Sequence, residues 1–516
     1  MRGLGLLIGF ACVAPALAGS PVDPSGSGGL RFEVVLASKL HLAPQSGRVF
    51  VILSATNRPE PRMQLGRTGN DAPEGLARDV VALTPGAAVV VDETAFAFPV
   101  TNLSEVRAGE YFVQALLDSN TDLRSTSAPG NLYSDVRKLE LEPKHGRTVK
   151  LELDHQIPPE QLPAETDLTK FVKIQSRLLT QFFGRPMFLR AGIVLPRDYE
   201  REPWRRYPLW VRIGGLNARY SSVSALMRGG SAFGLRKTWL ADDTPRFLLL
   251  QLDGAGPFGD PYQVNSANNG PYGDAITQEL IPYVEAHFRA VGKPQARVLS
   301  GTSTGGWVSL ALQIFYPDFF NGTWSSCPDP VDFHALELVD IYQEHEAYVN
   351  KYGNERPSER TLQGDVALLM RREVGLENLL APGNCYTCSG EQWGAWCATF
   401  SPRGADGRPA PLWDPQSGKI NPSVAEQWRK YDLRIVLERD WRRLAPKLRG
   451  KIHIAAGEAD QYFLNNAVHL LDQFLSQAEP QFEGSIVYGE GKWHGWSNLS
   501  LSEMLEGMRA ATEGRP

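Results

Sequence analysis

Ten residues, Arg297-Val-Leu-Ser-Gly-Thr-Ser-Thr-Gly-Gly306, constrain the fold more than any other stretch of the chain. An apolar run that reads as a buried strand ends just before Gly301, and an apolar, helix-compatible run follows from Trp307 to Tyr316. Between them, Gly301-x-Ser303-x-Gly305 demands a tight strand-to-helix turn that lifts the serine Oγ above a sheet edge. Glycines are needed there because any Cβ would collide with the neighbouring strand or helix. With 49 glycines in 516 residues, the bare pattern arises by chance about 0.3 times in such a chain, so its placement carries the information.

The surrounding sequence has two grammars. From Leu30 to about His155, short alternating runs separated by turn signals read as strands: Arg31–Leu36, Arg48–Leu53, Ala87–Val91, Glu110–Leu116 and Arg147–Leu153. No helical pattern interrupts them, which predicts an immunoglobulin-like β-sandwich over residues 30–155. Its expected role is to pack against and shape a neighbouring cleft; a carbohydrate-binding role is the alternative. Past a Pro-rich join, residues 157–163, near-continuous apolar strands take over at 187–194, 208–213, 246–252 and 297–300. Strands buried on both faces belong to a mainly parallel sheet covered by helices. Asp274 to Ala290, with Ile276, Leu280, Val284 and Phe288 on one face, predicts an amphipathic helix capped at Gly273-Asp274. The sheet is expected to continue at 322–326, 451–456 and 484–488. An insertion at about 330–445, rich in Trp and charged helical stretches such as Val424 to Leu444, reads as a cap. The fold class is α/β, with residues 156–516 forming the α/β domain and its cap insertion.

A serine hydroxyl becomes nucleophilic only with a base beside it. In the order Ser, acid, His, the nine histidines reduce to one. His41, His145, His155 and His287 precede Ser303. His334 and His345 follow too closely to leave room for an acid strand, and His453 and His469 sit inside a strand and a helix. His494 remains, in the loop Gly489-Glu-Gly-Lys-Trp-His-Gly-Trp496. The acid should follow the preceding strand, where Glu458 and Asp460 both stand; Asp460, beyond the glycine turn, is preferred. Two backbone N–H groups are expected to form an oxyanion hole: that of Thr304, next to the nucleophile, and that of Leu216 in the turn Gly214-Gly215-Leu216-Asn217.

These residues resemble the Putative esterase family of α/β-hydrolases, the group that includes enterochelin esterase, esterase D-type enzymes and the mycolyltransferases. The resemblance runs from about Arg185 to the end outside the insertion. It rests on Tyr207-Pro208 before a strand ending in Gly214-Gly215, on Gln278-Glu-Leu-Ile-Pro-Tyr-Val-Glu285, on Gly301-Thr-Ser-Thr-Gly-Gly306, and on His494 near Trp496. It implies an α/β-hydrolase fold and a serine esterase acting on a small-molecule or glycan-linked ester. A β-sandwich ahead of the hydrolase resembles enterochelin esterase-like proteins. An acyltransferase using the same triad and a non-catalytic binding protein on the same scaffold are the competing readings. Trp393, Trp396, Trp493 and Trp496 could stack on substrate rings or build the cap's core. No metal or organic cofactor is required by this chemistry.

Composition narrows the setting. Fifty-three basic against 58 acidic residues, with no block of like charge, argue against a nucleic-acid partner. Arg2, the apolar run Leu4 to Val13 and Ala16-Leu17-Ala18 predict a signal peptide over 1–18. No later run is long enough for stable membrane insertion, so a secreted or periplasmic location is expected. Without Cys12, four cysteines remain (Cys327, Cys385, Cys388 and Cys397), and two disulfides are expected in an oxidising compartment.

Overall fold

A computed structural model describes residues 29–69, 72–229 and 234–513; the expected signal peptide lies outside them. Residues 31–156 form a three-stranded sheet, with Arg31–Leu36 between Ala88–Val91 and Thr148–Leu153, and a seven-stranded sheet built around Gln45–Ser54, Glu74–Leu83 and Gly109–Asp118. In Arg31–Leu36 the period of two turns Phe32, Val34 and Leu36 inward and leaves Arg31 exposed. These side chains share one core with Val49, Val51, Leu53, Val113, Ala115 and Leu117 of the larger sheet.

Gln45–Ser54 does not alternate in the same way: its last seven residues are all buried. The reason is a second partner. Phe50, Ile52 and Leu116 face the other way, onto Leu376, Leu379 and Leu380 of the helix Met370–Leu380 in the insertion. A Cβ added to Gly75 would stand 2.4 Å from the Leu379 side chain, so the helix sits directly on the sheet. Buried Arg48 ties the contact, donating to the Leu379 carbonyl (2.7 Å) and Asn384 Oδ1 (2.6 Å) and pairing with Asp79 (2.8 Å). The seven-stranded sheet therefore braces this helix.

A third sheet has eight strands: β1 (Thr169–Ser176), β2 (Met187–Val194), β3 (Leu209–Ile213), β4 (Leu248–Leu252), β5 (Arg297–Ser303), β6 (Thr323–Pro328), β7 (Ile452–Gly457) and β8 (Ser485–Gly489). Their spatial order is β1-β2-β4-β3-β5-β6-β7-β8. β1, β2 and β4 pair antiparallel and every later pair is parallel. All five residues of β4 are buried, as a strand covered on both faces requires. The edge strand β1 escaped the sequence reading because Lys170, Lys173 and Gln175 break its apolar pattern.

Two helical expectations need correction. The helix predicted at Asp274–Ala290 spans Tyr272–His287 and widens over Ile276–Leu280, where Pro282 lacks the N–H that would bond Gln278. Asp274 does not cap it; its N–H donates to Asn265 Oδ1 (3.0 Å) and its carboxylate accepts from Tyr316 (2.9 Å). The stretch Val424–Leu444 belongs to two helices, Pro422–Trp428 and Leu433–Leu448, parted where the Asp432 side chain caps the Ile435 N–H (3.0 Å). The second of these packs on the helix Thr304–Phe315. Trp393, Trp396, Trp413 and Trp428 merge with the sheet's own core, so the insertion is continuous with the body of the protein.

The expected disulfides are absent among the described residues: Cys327, Cys385, Cys388 and Cys397 are free thiols. Cys327, in β6, lies against the Trp496 carbonyl (3.5 Å), whereas the other three lie in the insertion. An even count of cysteines does not bring them together. No described helix is long and apolar enough to cross a membrane.

Candidate active site

Ser303 ends β5 and the helix Thr304–Phe315 begins at the next residue. Its backbone sits at φ 60°, ψ −127°, a conformation that costs energy for a residue with a side chain and persists only where its surroundings enforce it. Here they do. A Cβ on Gly301 would lie 2.0 Å from the Gly305 carbonyl oxygen, and one on Gly305 would lie 2.4 Å from the carbonyl oxygens of Gly214 and Ile213. The collisions foreseen from the sequence are thus real, and they pin the serine at the carboxyl end of the sheet.

The turn after β3 passes beside it. A Cβ on Gly215 would stand 3.9 Å from Ser303 Cβ. The turn is held by the Ala218 N–H on the Gly215 carbonyl (3.0 Å) and the Asn217 N–H on Asp260 Oδ2 (3.1 Å). Asp260 also accepts from the Tyr262 N–H (3.0 Å), and burial pushes its pKa up to about 8. Leu216 lines the same cavity as Ser303. Thr304 is buried at the helix start, where the first N–H groups have no intrahelical acceptor.

Asp460 and His494, 34 residues apart, meet because β7 and β8 pair in parallel and their following loops interlock. A Cβ on Gly457 would lie 2.5 Å from the carbonyl oxygens of Lys492 and Trp493. Asp460 is 1% exposed; its Oδ2 lies 2.8 Å from His494 Nδ1 and its Oδ1 accepts the Tyr462 N–H (2.9 Å). Gln461 Oε1 accepts the His494 N–H (2.7 Å). From the insertion, Arg360 holds the acid loop through the carbonyls of Asp460 (2.9 Å) and Glu458 (3.2 Å). Glu458, the other acid considered from the sequence, instead meets His469 (3.1 Å) near the surface. Burial acts to lower the His494 pKa, but the hydrogen bond and charge of Asp460 outweigh it and hold it above the ordinary histidine value.

Ser303 and His494 line one cavity of about 330 Å³. In this conformation the Ser303 hydroxyl donates to Asp329 Oδ1 (3.4 Å), a residue the sequence reading missed. Asp329 is 2% exposed, and its Oδ2 accepts from Thr304 Oγ1 (3.0 Å), Gln392 (3.3 Å), Trp396 Nε1 (3.4 Å) and, at short range, Tyr262. Burial raises its pKa against those bonds. One signal was available: Asp329 directly follows a buried strand, at the sheet end where α/β folds bind ligands. Trp393 is core and Trp396 reaches both core and cavity, while Trp493 is exposed and Trp496 half-buried. A larger hollow of about 490 Å³, between the N-terminal sheets and the eight-stranded sheet, is lined by neither Ser303 nor His494.

The family described as Putative esterase matches residues 188–498. A search of curated protein sequences found no match. Among solved structures, a ferulic acid esterase is similar at 14% identity over 63% of this chain and 92% of its own, with a TM-score of 0.35. The S-formylglutathione hydrolase of Agrobacterium tumefaciens is similar at 12% identity, over 63% and 88%, with a TM-score of 0.35. The fluorophosphonate-binding serine hydrolase F of Staphylococcus aureus is similar at 13%, over 67% and 97%, with a TM-score of 0.36.

Proposed function

The chain belongs to the Putative esterase family and is a carboxylic ester hydrolase, and from that premise we propose that it works through a Ser303–His494–Asp460 triad and an acyl-enzyme. The observation that carries the proposal is the 2.8 Å contact between buried Asp460 and His494 Nδ1, in a loop sharing a cavity with a serine on a strained elbow. With Nδ1–H bound to the carboxylate, His494 keeps the lone pair of Nε2 free to take a proton.

Ser303 turns from Asp329 to His494 and attacks the acyl carbon as Nε2 removes its proton. The Thr304 and Leu216 N–H groups take the negative oxygen of the tetrahedral intermediate. Protonated His494 returns the proton to the departing alcohol, and a water then releases the acid by the same steps in reverse roles. The immunoglobulin-like sandwich holds the insertion helix Met370–Leu380 against the cavity, and its Gly66 and Thr68 reach the cavity wall. We read the leader 1–18 as directing export, so that the enzyme acts in the periplasm or outside the cell.

The test is to treat the purified protein with a fluorophosphonate probe, map the label, and assay acetyl, feruloyl and catecholate esters. Labelling of Ser303 with ester turnover is expected. Folded protein that takes no label would overturn the proposal.

A further inference from the structure

Six carboxylates line the cavity shared by Ser303 and His494 (Asp329, Glu337, Glu359, Glu373, Glu377 and Glu391), and among the described residues no lysine or arginine lines it. Local structure accounts for some of them. Glu377 accepts from Ser389 Oγ (2.7 Å) and from the N–H groups of Trp393 and Gly394 (2.9 Å each), and Asp329 is satisfied by the residues described above. Glu337 is different. It is 3% exposed, and its Oε2 is buried with no hydrogen-bond partner among the described residues. Glu373 has the Trp393 Nε1 donor at 3.0 Å.

Glu337, Glu359 and Glu373 all act electrostatically on Tyr462, whose ring is part-exposed and stands edge-on to His494 with ring centres 5.0 Å apart. Burial, followed by the charges of Glu373, Asp329, Asp460 and Glu377, drives the Glu337 pKa well up. A carboxyl buried without a donor is destabilising. A cation bearing N–H or polarised C–H groups removes that penalty, and an aromatic ring beside it adds to the attraction.

We propose that Glu337, Glu359 and Glu373, with the Tyr462 ring, form a subsite for an ammonium group carried by the ester substrate. The proposal deepens, and rests on, the esterase reading. An organic cation fits better than a metal: the described residues offer three groups of ligand atoms close enough to share one ion, and none includes these glutamates.

Two matched pairs of esters test it. Butyrylcholine against 3,3-dimethylbutyl butyrate places the charge on the alcohol, and ethyl 5-aminopentanoate against ethyl hexanoate places it on the acyl chain. For at least one pair, kcat/KM should favour the charged ester by about tenfold or more, mainly through KM, and the pair that responds locates the ammonium. In Glu337→Gln the preference should fall towards one. Calorimetric binding of the same esters to Ser303→Ala reads recognition without turnover, and the charged member should again bind more tightly.

Turnover of neutral and charged esters alike, with equal binding to Ser303→Ala, overturns the subsite and leaves the triad standing. Tighter binding of the charged ester with no hydrolysis of any ester by the native protein overturns the esterase reading instead. A preference abolished by EDTA would assign the glutamates to a metal and also overturn the proposal. If Glu337→Gln does not fold, Glu373→Gln and the Ser303→Ala comparison still decide it.

Discussion

Replacing Asp460 by Asn probes the proposed triad more sharply than deleting a side chain, because the structure dictates which way the new amide must face. Asp460 Oδ1 accepts the Tyr462 N–H at 2.9 Å, while Oδ2 faces His494 Nδ1 at 2.8 Å. At a site 1% exposed no water can substitute for either bond, so the introduced amide keeps its oxygen on the Tyr462 N–H and turns its NH₂ toward the imidazole. An NH₂ group donates only, and Nδ1 must become an acceptor. The ring proton then moves to Nε2, the atom that should receive the Ser303 proton, and the base is lost while the packing stays intact. A tautomer error of this kind costs about 10⁴ in kcat, or roughly 5.5 kcal/mol of transition-state stabilisation. The assay is steady-state hydrolysis of an activated acetyl ester, with thermal unfolding to show that the variant is folded. Glu458→Gln is the control; facing His469 near the surface, it should change kcat by about twofold or less. A loss under about tenfold in Asp460→Asn, or an equal loss in Glu458→Gln, would refute the reasoning.

Ser303→Ala should lower kcat by about 10⁶-fold and remove fluorophosphonate labelling, as read by gel fluorescence. His494→Ala should also abolish labelling, whereas His469→Ala should label at the native rate. In the proposed mechanism His494 acts as base only when neutral, and Asp460 holds its pKa above the ordinary histidine value. The acid limb of kcat/KM against pH should therefore have its midpoint above about 6.5, with activity falling as pH drops through it; in Asp460→Asn the midpoint should move down. Alkylation of the denatured, unreduced protein followed by intact mass measurement should count Cys327, Cys385, Cys388 and Cys397 as four thiols; a mass gain for none of them would restore the two-disulfide expectation.

By itself the sequence determined whatever depends on neighbours along the chain. A period of two marked strands of the N-terminal sheets, unbroken apolar runs marked the buried strands of the eight-stranded sheet, and glycines at 301 and 305 marked a turn that no Cβ can enter. Chain order narrowed the candidate bases to His494, since the order of strands limits which loops can reach the serine. Other features depend on contacts between distant segments, which leave no local signature. The meeting of Asp460 with His494, and of Glu458 with His469, depended on how two loops interlock. Asp329 became a partner of Ser303 only once β6 was laid beside β5. The burial of Arg48–Ser54 on both faces of its strand came from a helix far along the chain in the insertion, and cysteine parity failed because thiols pair by proximity. Hydrogen bonds and packing act over a few ångströms of space, and only the tertiary fold converts sequence separation into that distance.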